Sequence, residues 1–126
     1  MSGAGRGLVL FAHGARDPRW AAPFDAIAAA VRARAPEVQV RLAFLELMAP
    51  DLGTAVDALV AEGCTAIDVL PLFLGTGGHL RRDLPPLVEA AAARHAGVTI
   101  ALHGAAGEAP AMIAALAEHA VALTRT

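Results

Sequence analysis

The sequence predicts an α/β fold, a three-layer sandwich around a four-stranded parallel sheet with strand order 2-1-3-4. Three observations lead there. Short apolar runs alternate with longer stretches of helical periodicity along the whole chain. The polar and glycine-rich segments follow the apolar runs, as loops at the carboxyl edge of a parallel sheet do. The 126 residues suffice for one hydrophobic core, so residues 1–126 read as a single domain.

Each element has its own signal. Residues 7–12 are a short apolar run and read as the first strand. Residues 20–35 place Phe24, Ile27, Ala28 and Val31 at helical spacing, and Pro36 stops the helix. Val38, Val40, Leu42 and Phe44 alternate through residues 38–45, a strand pattern. Asp51 is a good N-cap for a helix to Glu62, which Gly63 ends. Residues 66–74 form the third strand, followed by the loop Gly75-Thr76-Gly77-Gly78-His79. A helix is expected over residues 83–95, a fourth strand over 98–102 and a last helix over 108–123. Strands that alternate with helices imply a parallel sheet covered on both faces, joined by right-handed crossovers.

Composition excludes several classes. The net charge of −2 gives no nucleic-acid footprint, and absent tyrosine with few aromatics disfavours base stacking. No apolar run approaches the roughly 20 residues of a membrane helix. The first apolar run is too short for a signal-peptide core, so the cytoplasm is the expected location. A lone cysteine, Cys64, forms neither an internal disulfide nor a cysteine metal cluster and reads as a buried small hydrophobe. All ten cationic side chains are arginine, each able to grip a carboxylate or phosphate bidentately.

The chemistry-bearing residues collect after the strands. The first strand runs into His13-Gly14-Ala15-Arg16-Asp17, the second into Glu46, the third into the glycine loop with His79, Arg81 and Arg82, and the fourth into His103. His13 and His79 are distant in sequence, yet strands one and three are expected neighbours about 4.8 Å apart, so their ends can converge on one ion. Two neutral imidazoles suit Co²⁺, Fe²⁺, Ni²⁺ or Zn²⁺ in open coordination, while each histidine alone also fits a loop residue bonded to backbone. Glu46 is a candidate proton acceptor or an ordinary salt-bridge partner. Arg16, Arg19, Arg81 and Arg82 would hold a polycarboxylate, or form a solvated rim. Gly77 and Gly78 belong to a loop that could cradle an anion or admit a large planar ligand, and no P-loop or dinucleotide fingerprint is present. His95 reads as a helix C-terminal cap and His103 as a further candidate at the same edge.

These residues fall into three motifs. The run Leu8-Val9-Leu10-Phe11-Ala12-His13-Gly14-Ala15-Arg16-Asp17-Pro18, then Phe44-Leu45-Glu46 with Met48 and Pro50, then Pro71-Leu72-Phe73-Leu74-Gly75-Thr76-Gly77-Gly78-His79 with Asp83 and Pro85, resembles the CbiX-type sirohydrochlorin chelatases in their short form. The resemblance covers roughly residues 7–120 and implies a chelatase-like fold. It implies ATP-independent insertion of a divalent metal into sirohydrochlorin, in cobalamin or siroheme biosynthesis. Co²⁺ is the expected ion, with Fe²⁺ and Ni²⁺ as alternatives, and the metal is substrate; neither ATP nor an organic cofactor is expected. It further implies that His13 and His79 bind the metal, and that a homodimer builds the tetrapyrrole cleft. Ala15 stands where the family commonly has serine, and the segment after the fourth strand matches no family pattern. A histidine phosphatase would need arginine at position 12, which is Ala12, and an α/β-hydrolase would need a Gly-x-Ser-x-Gly that is absent. A non-catalytic metal or tetrapyrrole carrier on the same fold is the competing reading.

Overall fold

The computed structural model describes residues 5–125. Four parallel strands, β1 (Arg6–Ala12), β2 (Gln39–Phe44), β3 (Ala66–Pro71) and β4 (Thr99–Leu102), form one sheet in the order β2-β1-β3-β4, as the sequence predicts. The β1 strand is central: Leu10 lies opposite Leu42 on one side and Leu70 on the other. At the far edge Val69 lies opposite Leu102.

The helices are α1 (Ala22–Arg34), α2 (Leu52–Ala61), α3 (Gly78–Ala93) and α4 (Pro110–Leu123). The α2 helix starts where expected, because the Asp51 carboxylate accepts the Thr54 N–H at 2.9 Å and satisfies one of the orphan donors of the first turn. That hydrogen bond holds the Asp51 carboxyl below its ordinary range. The buried residues Leu52, Ala55, Val56 and Leu59 recur at helical spacing along α2, and Leu84, Val88 and Ala91 do so along α3. Both helices cover the sheet face that presents Val9, Phe11, Ala43, Ile67 and Val69, which is the main core. Cys64 is buried there, and burial pushes its thiol up, in keeping with a small core hydrophobe.

The opposite face is treated differently. The α1 helix packs Ala28 and Val31 over Leu10 and Val40 of β1 and β2. Trp20, in the 3-10 turn Pro18–Ala21, closes a smaller cluster with Phe24 and Phe44 at ring-centroid distances of 4.5 and 6.5 Å. Ile27, expected to face inward, is exposed. The expectation of a sheet covered on both faces holds only in part. No residue of α4 is buried, and α4 closely touches only the 3-10 turn Ala106–Glu108 from which it emerges. Along β3 the residues therefore alternate between buried (Ile67, Val69) and half-buried (Asp68, Leu70).

Several boundaries differ from the sequence reading, among them the first helix, which starts at Ala22 and not at 20, after the 3-10 turn. The third strand ends at Pro71 rather than at 74. The last helix starts at Pro110, with a 3-10 turn before it. The third helix starts at Gly78 and not at 83, with Pro85 and Pro86 inside it. A proline in a helix interior lacks the N–H for its i−4 bond, so proline logic alone places both residues in a first turn. Among the described residues no helix is long and apolar enough to cross a membrane.

Candidate metal centre and substrate edge

The strand ends are stitched together beyond the sheet proper. The Leu45 and Glu46 N–H groups donate to the Ala12 and His13 carbonyls at 2.9 and 3.1 Å, and the Leu72 N–H donates to Phe11 at 2.7 Å. The His103 N–H donates to Val69 at 3.0 Å, and the Gly107 N–H to Phe73 at 2.9 Å. The segments carrying His13, Glu46, Phe73 and His103 thus belong to one carboxyl edge, as an open parallel sheet requires of its sites.

Gly14 makes the first crossing possible. Its φ is +100°, and a Cβ there would lie 1.8 Å from the Glu46 carbonyl oxygen, so only glycine fits beside that backbone. The result is a pair: His13 Nε2 lies 3.0 Å from Glu46 Oε1, with both side chains about half exposed. The edge of the His13 ring meets Phe73 at a centroid distance of 6.2 Å. With Nε2 held by the carboxylate, the imidazole keeps its Nδ1 lone pair for a metal, an arrangement common around metal-binding histidines.

His79 lies in the first turn of α3, one turn before Asp83, and its Nε2 is 2.9 Å from Asp83 Oδ2. Asp83 is a partner that the sequence reading missed. The His-x-x-x-Asp spacing was visible, but it becomes a contact only if the helix has already begun at 78. Each sequence-predicted histidine therefore has its own carboxylate. Among the described residues no three His, Cys, Asp or Glu side chains gather around a point that could hold an ion.

The glycines of this edge divide into two kinds. Gly14 and Gly107 are required by the chain's own backbone, since a Cβ on Gly107 would sit 2.1 Å from the Leu74 carbonyl oxygen. Gly75, Gly77 and Gly78 have nothing within 4 Å of their Cβ positions and no positive φ. The fold itself does not need glycine there, and the open space lies against the N-terminus of α3, where Gly77 makes no side-chain cap. Free backbone N–H groups at such an end favour an anion.

The arginines differ in their commitments. Arg19 is clamped by Asp17, with Nε and Nη2 on the carboxylate at 2.9 to 3.2 Å, which holds the Asp17 carboxyl low and raises the guanidinium. Arg81 reaches Thr76 Oγ1 at 3.3 Å and Glu108 at 3.6 Å. Arg16 and Arg82 are exposed and meet no carboxylate among the described residues. Arg81 also lines a cavity of about 270 Å³ with Leu80, Leu102 and His103.

Two further histidines are committed elsewhere. His103 Nε2 lies 2.8 Å from Asp68 Oδ1, and Arg6 lies 3.0 Å from the other oxygen. His103 first, then Arg6, holds the Asp68 carboxyl below its ordinary range. A charge in the middle of an apolar strand was the sequence signal for this cluster. His95 does not cap its helix through the ring. Its Nε2 spans 2.7 Å to Asp57 on α2, where Arg94 also bonds, because the fold offers a full negative charge in place of a carbonyl dipole.

Comparison with known proteins gives the site its family. The sirohydrochlorin cobaltochelatase of Methanosarcina barkeri is 30% identical over 82 residues, which are 65% of this chain and 63% of that protein. That of Saccharolobus solfataricus is 37% identical over 82 residues, 65% of this chain and 62% of that protein. The chain thus spans less than two thirds of the length of these curated relatives. The crystal structure of a CbiX protein from Marinobacter aquaeolei VT8 superposes with a TM-score of 0.81 at 34% identity, covering 96% of this chain and 99% of that one. The sirohydrochlorin chelatase SirB of Bacillus subtilis subspecies spizizenii, in complex with cobalt, gives 0.70 at 29% identity, over 79% of this chain and 43% of SirB. The CbiX family model takes in residues 7–122, the whole β1-to-α4 unit but for its outermost residues, and on that match the chain belongs to the CbiX family.

Proposed function

We propose that the chain is a sirohydrochlorin metal chelatase, inserting Co²⁺, with Fe²⁺ and Ni²⁺ as alternative ions, without ATP or an organic cofactor. The observation that carries this reading is the His13–Glu46 pair at 3.0 Å, an imidazole with a proton acceptor at its side on an open sheet edge. The relatives named cobaltochelatases and the cobalt complex of SirB support it. Residues 1–126 act as one chelatase domain in the cytoplasm, on a route to cobalamin or siroheme.

In this reading His13 and His79 hold the ion in open coordination, so that it can leave for the macrocycle. Glu46 and Asp83 fix the imidazole tautomers. The macrocycle lies across Gly77 and Gly78, where no side chain bars a flat ring. Its carboxylates meet the α3 N-terminus and Arg16, Arg19, Arg81 and Arg82, with Arg19 exchanging Asp17 for substrate. Two pyrrole N–H protons must leave as two metal–nitrogen bonds form, and Glu46 or a histidine accepts them. The Arg81-lined cavity of about 270 Å³ lies below the range of about 300–1,000 Å³ of enclosing ligand sites. A homodimer supplies the second wall.

The test is anaerobic metalation of sirohydrochlorin followed by absorbance, with Co²⁺, Fe²⁺ and Ni²⁺ in turn and protein at sub-stoichiometric amount. Multiple turnovers that disappear in His13→Ala and in His79→Ala are expected. No rate above the uncatalysed background with any ion overturns the enzyme, and tight one-to-one binding without turnover establishes a carrier instead.

A further inference from the structure

Two large apolar side chains stand in solvent at the same edge as the candidate metal ligands. Leu74 is 77% exposed and Leu47 58%, and among the described residues Leu74 is the most exposed large apolar side chain. A single leucine in water is ordinary. The places of these two in the chain are not. The His13 ring meets Glu46 at 3.0 Å and the Phe73 ring at a centroid distance of 6.2 Å. Leu47 directly follows the first of these partners and Leu74 the second. One exposed leucine is thus tethered to each of two residues that touch the imidazole.

The backbone fixes both at a cost. Leu47 has φ +66°, in the left-handed region that a bulky side chain avoids. Around it the Met48 N–H donates to the Glu46 carbonyl at 2.8 Å, which closes a three-residue turn of the rare, strained hand. The same Glu46 carbonyl lies against Gly14, where no Cβ fits. The backbone of Leu74 is held from the other side of the edge. A Cβ on Gly107 would lie 2.4 Å from Leu74 Cα, and the Gly107 N–H is bonded to the Phe73 carbonyl. Neither leucine offsets these constraints by burial in its own chain. Strain kept at a residue that buries little points to a contact with something other than the chain itself.

The tetrapyrrole of the proposed reaction has the complementary chemistry, a flat ring with apolar faces and a charged rim. The arginines and the α3 N-terminus answer only the rim. Ligand sites are lined mainly by apolar side chains, with a few polar groups that set orientation. At this edge Leu47 and Leu74 supply that lining beside Phe73. Gly75, Gly77 and Gly78 come next after Leu74 and leave open the space in which a flat ring would lie.

We propose that Leu47 and Leu74 are the apolar grips of the site, which contact the macrocycle and bring its centre to rest beside the His13–Glu46 pair. The proposal rests on the chelatase reading above and adds the contacts that recognise the ring as distinct from its carboxylates. The strained turn gives Leu47 its reach. It presents the side chain outward while the adjacent Glu46 stays paired with His13, so ring contact and proton acceptor are set by one short segment.

The test measures equilibrium binding of metal-free sirohydrochlorin to the full chain by absorbance, so that ring binding is read apart from turnover. Leu47→Gly and Leu74→Ala should each weaken binding about ten-fold, the lower end of what a lost apolar contact is worth in a binding site. Leu47→Asn, which tolerates the same backbone but is polar, should bind as weakly as the glycine variant. Leu47→Met and Leu74→Met, apolar and of similar volume, should stay within about two-fold of wild type. The urea midpoint of Leu47→Gly should hold or rise, because glycine adopts a positive φ freely. A midpoint that falls together with binding makes Leu47 a structural residue and overturns its contact. Wild-type binding in Leu47→Gly and Leu74→Ala overturns the proposal, as does a loss in the methionine variants equal to that in the truncated ones. Light scattering tests the other occupant: a particle mass that drops in the truncated variants assigns the leucines to a contact between copies and overturns the ring contact. A wild-type chain that binds sirohydrochlorin and never metalates it overturns the chelatase and leaves the ring contact standing, whereas one that does not bind it overturns both.

Discussion

His13 Nε2 and Glu46 Oε1 face each other at 3.0 Å just beyond the end of the β1–β2 ladder, where the Glu46 N–H donates to the His13 carbonyl. Backbone pairing and side-chain pairing reinforce each other there, because the two bonds Leu45 N–H to Ala12 and Glu46 N–H to His13 carry the strand spacing on past the sheet.

Replacing Glu46 with Gln keeps a hydrogen-bond acceptor beside His13 and removes the charge that would take up a proton. Turnover should fall about 100-fold or more, the size of a lost general base. Affinity for Co²⁺ should change by less than about ten-fold, the lower end of what a partner of a metal ligand contributes. Steady-state metalation beside equilibrium titration with Co²⁺ separates the two. Equal losses in both would make Glu46 a metal ligand.

The glycines allow a sharper separation of fold from function. Gly14→Ala should cost more than about 2 kcal/mol, since it adds left-handed strain to a clash with the Glu46 carbonyl. Gly77→Ala and Gly78→Ala should leave the urea midpoint unchanged or raise it, because the chain offers nothing to clash with and the unfolded state loses freedom. Their KM for the tetrapyrrole should nevertheless rise about ten-fold if the macrocycle lies on that surface. Wild-type KM in both variants would move the substrate elsewhere.

Among the arginines, Arg16→Gln and Arg82→Gln should raise KM more than Arg19→Gln. The first two have no carboxylate partner among the described residues, whereas Arg19 must first give up Asp17. The order is read from KM at low and high salt, and the differences should shrink as salt rises.

Acid should weaken the fold through Asp51 and Asp68. Each carboxyl is held low in the folded chain, by the Thr54 N–H and by His103 with Arg6 respectively. A group depressed on folding contributes stability that is present above its unfolded value near 4 and is lost as pH falls through its folded value. Asp51→Ala should therefore cost about 1 kcal/mol at pH 7 and much less at pH 2. Urea denaturation at the two pH values measures this, and an equal cost at both would assign the effect to packing.

Much of this molecule was legible before folding. The alternation of apolar runs with helical periods gave the strand order, because a parallel sheet with right-handed crossovers has few ways to arrange four strands. Asp51 announced the start of α2 through a local interaction. His13, Glu46 and His79 were singled out by what each strand ran into.

Contacts that depend on distant chain were not legible. The early start of α3 brought Asp83 to His79, against the local preference of Pro85 and Pro86, since packing of Leu84 and Val88 on the sheet outweighs two missing hydrogen bonds. Asp17 took Arg19, and Asp57 drew His95 across to α2. The course of α4 was decided by a bond between the backbones of residues 107 and 73, at a site no sequence pattern marks. Periodicity reports what a segment can bury. Only the assembled sheet determines which surface is present for it to be buried against.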